Sequence, residues 1–301
     1  MTVRVSPELL KQVKGIAIRT RGVVDTLFAG ESRSVFRGQG MEFAEVRAYE
    51  QGDDYRAIDW NVSARLGSPF VKTFTEEREL TLLLVVDQSG STRVGDPVQR
   101  AGRAVEVAAV LALAGAREQD RVGALLFTDR VEHVVRPAKG RRHVLRLIRD
   151  LLAFAPTHKG TDLSGAIRYT SKVLGHRGVV VLVSDFLDAD WDRPLRELAA
   201  RHDVTAVTVD DVRELRPRGR GWLTFEDPEH GGAALVDLGD PAVARRWAAL
   251  AKSRIEDRNQ RLRAAGVRHL AIDVHQDYAP LLRRAFSPKR RRGGGVARRG
   301  K

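Results

Sequence analysis

Two carboxylates close apolar runs in this chain, and small hydroxyl residues stand close to each. Asp87 ends the stretch ELTLLLVVD that begins at Glu79 and opens the sequence Asp87-Gln88-Ser89-Gly90-Ser91, while Asp185 follows Ser184 after the run Val179 to Val183. In an extended turn, side chains at i, i+2 and i+4 project to one side, so Asp87, Ser89 and Ser91 can present three hard oxygens to one point. A third loop, His158-Lys159-Gly160-Thr161-Asp162, adds the Thr161 hydroxyl; Gly160 permits close backbone approach and Asp162 suits the N-cap of a following helix. Two carboxylates with neutral oxygens suit Mg2+ or Mn2+, which take about six oxygen ligands. The plainer reading is that these residues are all helix caps. Their joint placement at three strand ends favours the metal, because ligands of open parallel sheets bind beyond the carboxyl ends of the strands. With only two protein carboxylates such a site stays electrophilic, and a Glu or Asp from a partner protein is a natural further ligand.

The elements that must position these residues alternate along the chain. Continuous apolar runs at Glu79–Asp87, Val122–Phe127, Val179–Val183, Val204–Val209 and Leu270–Val274 predict strands buried on both faces. Helical patterns separate them: one opened by Asp96 and Pro97, then Arg141–Leu152, Leu163–Leu174, Trp191–Arg201 and about Pro241–Ala265. The expected class is therefore α/β, a doubly wound, mostly parallel sheet of Rossmann-type topology with right-handed crossovers. Val131–Val135 follows its predecessor too closely for a crossover and should pair antiparallel at an edge; Trp222–Val236 reads as a hairpin around Asp227-Pro228 and Gly231-Gly232.

The first 78 residues differ in character, with an amphipathic helix over Pro7–Phe28 and then glycines at 38, 40 and 52 that break the pattern into turns and short strands. We expect an N-terminal segment at 1–78, the α/β domain at 79–287 and a disordered basic tail at 288–301. Across 301 residues, 52 Lys and Arg face 39 Asp and Glu, a net +13, but seven of the basic residues and no acidic one lie between Lys289 and Lys301. More than half of the excess thus belongs to the tail. Without interleaved aromatics it would hold nucleic acid only non-specifically. The chain has no cysteine, no leader peptide and no run of about 18 apolar residues, which predicts a soluble, cytoplasmic protein without a disulfide or a thiolate site.

Residue by residue, Asp87-x-Ser89-x-Ser91, Thr161 and Asp185 resemble the metal-ion-dependent adhesion site of von Willebrand factor A domains. The resemblance implies that the serines and the threonine ligate the metal, that the aspartates bind directly or through water, and that a partner's carboxylate completes the shell. Many such domains carry Met or Leu after the second serine, where this chain has Thr92 and Arg93. The first segment adds Gln39-Gly40-Met41-Glu42-Phe43, Val46-Arg47-x-Tyr49, Gly52-Asp53-Asp54, Arg56-x-Ile58-Asp59-Trp60 and Ala64-Arg65. As a set these resemble the bacterial domain-of-unknown-function family fifty-eight, which joins such a segment to an A-like domain. That resemblance implies partnership with a MoxR-type AAA+ ATPase. In it Asp53, Asp54, Arg56, Asp59, Trp60 and Arg65 form either a surface for the partner or, as opposite charges near a turn usually do, ion pairs that fix a loop.

An enzyme is the competing class. A metal-dependent phosphohydrolase of the haloacid-dehalogenase kind also places an Asp at a strand end, but needs a second acid two residues on, where Ser89 stands; Asp185 with Asp188 only partly mimics its later acidic motif. Phosphate-binding and nucleophile-elbow motifs are absent, and of eight histidines only His158 lies near the proposed site. The expectation is a non-enzymatic, metal-dependent protein-binding module.

Overall fold

The computed structural model describes residues 7–27, 42–51, 53–75, 80–91, 97–211, 221–227, 229 and 231–286. Helices α1 (Pro7–Arg19) and α2 (Arg21–Leu27) come first, followed by β1 (Glu42–Ala48), a 3-10 turn at Tyr55–Ala57, α3 (Trp60–Leu66) and β2 (Phe70–Thr75). The central part comprises β3 (Thr81–Asp87), α4 (Pro97–Arg117), β4 (Arg121–Phe127), β5 (Val131–Ala138), α5 (Arg141–Ala153), α6 (Leu163–Val173) and β6 (Val179–Val183). It continues through α7 (Asp192–Arg201), β7 (Asp203–Asp210), β8 (Trp222–Glu226), β9 (Ala233–Asp237), α8 (Pro241–Ala264), β10 (Arg268–Asp273) and α9 (Ala279–Phe286).

Six strands form the main sheet in the order β10-β7-β6-β3-β4-β5, with every pair parallel except β4 and β5. This is the doubly wound α/β class that the apolar runs predict, and β5 is the expected antiparallel edge. Strand β3 shows why its sequence is continuously apolar. Leu82, Leu84 and Val86 enter one core with Val107, Leu111, Leu147 and Ile148, while Leu83 and Val85 enter the other with Leu163, Trp191 and Leu195. All five are fully buried, because successive side chains of a strand covered on both faces meet helices alternately.

The expected single helix over 7–28 is broken at Thr20. Its hydroxyl and its amide both donate to the Ile16 carbonyl, at 2.8 and 2.9 Å, and such back-bonding bends helices. Val13, Ile16 and Val24 from these two helices are buried in the same core as Leu82, Leu84 and Val86. Strands β1 and β2 pair antiparallel beside α3, and β8 and β9 form the expected hairpin. The Asp96 cap, glycines 38, 40 and 52, Thr92, Arg93 and the tail from 288 to 301 lie outside the described residues.

Candidate metal centre

The chain leaves β3 for β4 and β5 on one side, then returns to β6 on the other, so the strand order reverses between β3 and β6. Side-by-side strands whose connections diverge leave a crevice at their carboxyl ends. Asp87 is the last residue of β3, level with Phe127 on β4, and Asp185 lies two residues beyond the end of β6. The turn after β6 is sharp: Phe186 has φ 56° and is driven into the core against Trp191, ring centroids 5.3 Å apart. A bulky residue in the left-handed region stores strain, which concentrates where a fold must aim a side chain.

Hydrogen bonds gather the residues of the Asp87 and Thr161 loops. The Ser89 amide donates to Asp87 Oδ1 at 2.9 Å, the Ser184 hydroxyl donates to Asp87 Oδ2 at 2.7 Å, and the hydroxyls of Ser89 and Ser91 are 3.1 Å apart. The Gly90 amide donates to the Lys159 carbonyl at 2.7 Å, clamping the Asp87 loop to the one that carries Thr161. A residue from far along the chain joins them: Glu229, between β8 and β9, accepts through Oε1 from the Thr161 hydroxyl at 2.8 Å and from the Ser91 amide at 3.2 Å.

The electrostatics of this cluster are unfavourable as the protein groups stand. Burial and then the neighbouring charge of Asp185 push the Asp87 carboxyl up to about 7. Asp185 is also raised, first by burial; the Leu187 amide, donating at 3.1 Å to Oδ1, a hydrogen bond from the Ser91 side chain and the charge of Arg100 pull the other way, while Glu229 adds repulsion. Its second oxygen, Oδ2, is buried and has no hydrogen-bond donor. Buried polar atoms are nearly always satisfied, so an orphaned carboxylate oxygen beside a second buried carboxylate fits a cation. Among the described residues no three His, Cys, Asp or Glu side chains gather as a metal cage. The donor set is instead mixed, two carboxylates with hydroxyls, which is the set a hard divalent ion takes.

The Thr161 loop is held from below. Strands β4 and β5 slip register between Leu126 and Phe127, which face His133 and Val131, so Glu132 is the extra residue of a bulge. Its carboxylate accepts from the Thr128 hydroxyl at 2.7 Å and from the Thr157 amide and hydroxyl at 2.9 and 2.5 Å. Burial would raise this carboxyl, yet the hydrogen bonds from Thr157, Thr128 and the His158 amide hold it at about 2. Asp162 caps α6 through the Gly165 amide at 2.7 Å, as its position predicts. Asp188, the acid that partly mimics a phosphohydrolase motif, accepts from the Leu163 amide at 2.9 Å and so also serves the start of α6. His158 shares hydrogens with Thr157 and lies beside Glu132.

In the first segment the aspartates act within their own loop. Asp53 takes both guanidinium nitrogens of Arg47, at 2.8 and 2.7 Å, and that bond holds its carboxyl below the usual range. Asp54 caps the 3-10 turn through the Arg56 amide, and Asp59 caps α3 through the amides of Asn61 and Val62. Arg56 lies over the Tyr55 ring. Trp60 and Tyr55 are 69% and 65% exposed, and Arg65 is exposed on α3. The site residues that sequence reasoning misses are Glu229, Ser184, Glu132 and Arg100. Ser184 stands next to Asp185 and was within reach of the strand-end argument; the other three belong to no local pattern.

The family model described as "Protein of unknown function DUF58" matches residues 45–275. Uncharacterized proteins of Mycobacterium tuberculosis and Mycobacterium bovis are each 32% identical over 292 residues, covering 95% of this chain and 91% of theirs. Among solved structures, the conserved hypothetical protein BatB of Bacteroides thetaiotaomicron is 13% identical with a TM-score of 0.47, covering 69% of this chain and 97% of its own. The proximal thread matrix protein 1 of the mussel byssus, solved with a zinc-occupied adhesion-site motif, is 12% identical with a TM-score of 0.36, covering 45% and 39%.

Proposed function

We propose that this chain, which belongs to the DUF58 family, is a metal-dependent protein-interaction module of the von Willebrand factor A kind, without catalytic activity of its own. Asp87, Ser89, Ser91, Thr161 and Asp185 would hold Mg2+ or Mn2+, and the ion supplies an electrophilic position for an acidic side chain of a partner. The observation that carries the reading is the unpartnered Oδ2 of Asp185, buried at the switch point and interacting electrostatically with Asp87, whose loop is clamped to the one that carries Thr161. No acid stands at position 89 to serve as a phosphohydrolase acid/base, and Asp188 is engaged at the start of α6. The partner we propose is a MoxR-type AAA+ ATPase, with this chain as adaptor for its clients. The exposed Tyr55, Trp60 and Arg65 beside the capped turns are the second surface offered to it.

Tagged protein in a host lysate, with Mg2+, with EDTA and as the Asp87→Ala variant, tests this. Retention of an AAA+ ATPase or another defined protein only with the metal and intact Asp87 is the expected result. Retention that ignores both the chelator and the substitution would overturn the metal-dependent reading and move the working surface to the first segment or the tail.

A further inference from the structure

The hairpin of β8 and β9 places a carboxylate of this same chain at the rim of the proposed centre. Asp227 organises the tip: its side chain accepts from the Glu229 amide at 2.9 Å, and its own amide donates to the Gly232 carbonyl at 2.8 Å. Glu229 is thereby turned inward, where one oxygen takes both the Thr161 hydroxyl and the Ser91 amide. Ser91 and Thr161 belong to two different loops, and they are the groups an incoming acid would meet at the site. Trp222 and Leu235 are 65% and 63% exposed, and Phe225, one pair short of the turn, packs on Trp247 of α8, centroids 4.8 Å apart.

A further carboxylate close enough to act on Asp185 is hard to justify as plain structure. It adds repulsion to a buried acid whose Oδ2 already lacks a donor. A glutamine would accept the same two hydrogens without that repulsion. The charge itself therefore asks for a use.

We infer that Glu229, held on the Thr161 hydroxyl and the Ser91 amide, occupies the partner's place, so that an acidic partner must displace the hairpin to engage the centre. The inference rests on the metal-binding reading and adds its regulation. Displacement frees a strand pair with exposed Trp222 and Leu235, and it makes affinity for a partner lower than the bare centre would give, because only the fraction of molecules with the hairpin released is competent. A weakly acidic ligand is excluded and a well-matched one is admitted.

The test uses the full chain, wild type and Glu229→Gln, with Mg2+ as one probe and an N-acetylated, C-amidated Gly-Gly-Glu-Gly-Gly peptide as the other. Mg2+ uptake is followed by calorimetry, and amide exchange of the 222–237 hairpin by mass spectrometry. In wild type, Mg2+ should slow exchange of the hairpin, and the peptide with Mg2+ present should restore it. In Glu229→Gln, Mg2+ should no longer slow exchange, and the peptide should bind about tenfold more tightly. The glutamine keeps both hydrogen bonds, so a merely structural Glu229 would leave exchange and peptide affinity unchanged. That result, with normal Mg2+ uptake, overturns the inference while the metal site stands. Wild type that takes up no Mg2+, or uptake that survives Asp87→Ala, overturns both.

Discussion

Asp87 and Asp185 stand in unequal positions. Asp87 has a donor on each oxygen, the Ser89 amide and the Ser184 hydroxyl, whereas Asp185, helped by the Leu187 amide and the Ser91 side chain, keeps a buried Oδ2 with no hydrogen-bond partner. Asp87 is thus fixed in direction, as a ligand would be, and Asp185 is the residue whose charge most needs an outside partner. An Asp185→Asn substitution removes the like-charge repulsion but keeps the shape and the acceptor for Leu187. In EDTA it should therefore equal or exceed wild type by about 1 kcal/mol in urea unfolding. In Mg2+ at a hundredfold over Kd the wild type should gain about 2.7 kcal/mol and the variant nothing. An equal gain by both would show that the ion binds elsewhere.

At the scale of elements, the loops of the site are tied to strands by residues whose role is set by register. Glu132 is the example: a bulge in β5 turns its carboxylate under Thr157 and His158, and so supports the loop that ends in Thr161. Because its folded pKa is depressed to about 2 from 4.5, its contribution is fully present above 4.5 and is lost as pH falls through about 2. Glu132→Gln should accordingly be less stable than wild type at pH 7 by roughly 1–2 kcal/mol, with the gap closing as pH is lowered over that window. A gap independent of pH, read from urea midpoints across the window, would contradict the assignment. The same bulge shows where sequence reading stops. The parallel strands are legible because burial on both faces makes them continuously apolar, and Asp87 and Asp185 are legible because they end such runs. The break at Thr20 depends on a hydroxyl competing for the Ile16 carbonyl within a sequence whose periodicity continues through it. Glu132 needs the β4–β5 register, and Glu229, 138 residues from Ser91, needs the tertiary fold.

For the whole molecule, the sheet order concentrates the chemistry at one end. A doubly wound sheet has one switch point between its halves, and here both aspartates flank it, while hydroxyls come from the Asp87 loop itself and from the Thr161 loop. Helix α8 closes on the same end: the Arg258 guanidinium donates to the Asp185 carbonyl at 3.3 Å and pairs with Asp210 at 2.7 and 2.8 Å. Among the described residues no helix is long and apolar enough to cross a membrane. The central claim is that one divalent ion belongs between these loops. Its most direct test is an anomalous difference map from crystals grown with Mn2+. The account predicts a single strong peak bounded by Asp87, Ser89, Ser91, Thr161 and Asp185. A map with no peak there, or with manganese only on surface carboxylates, would contradict it.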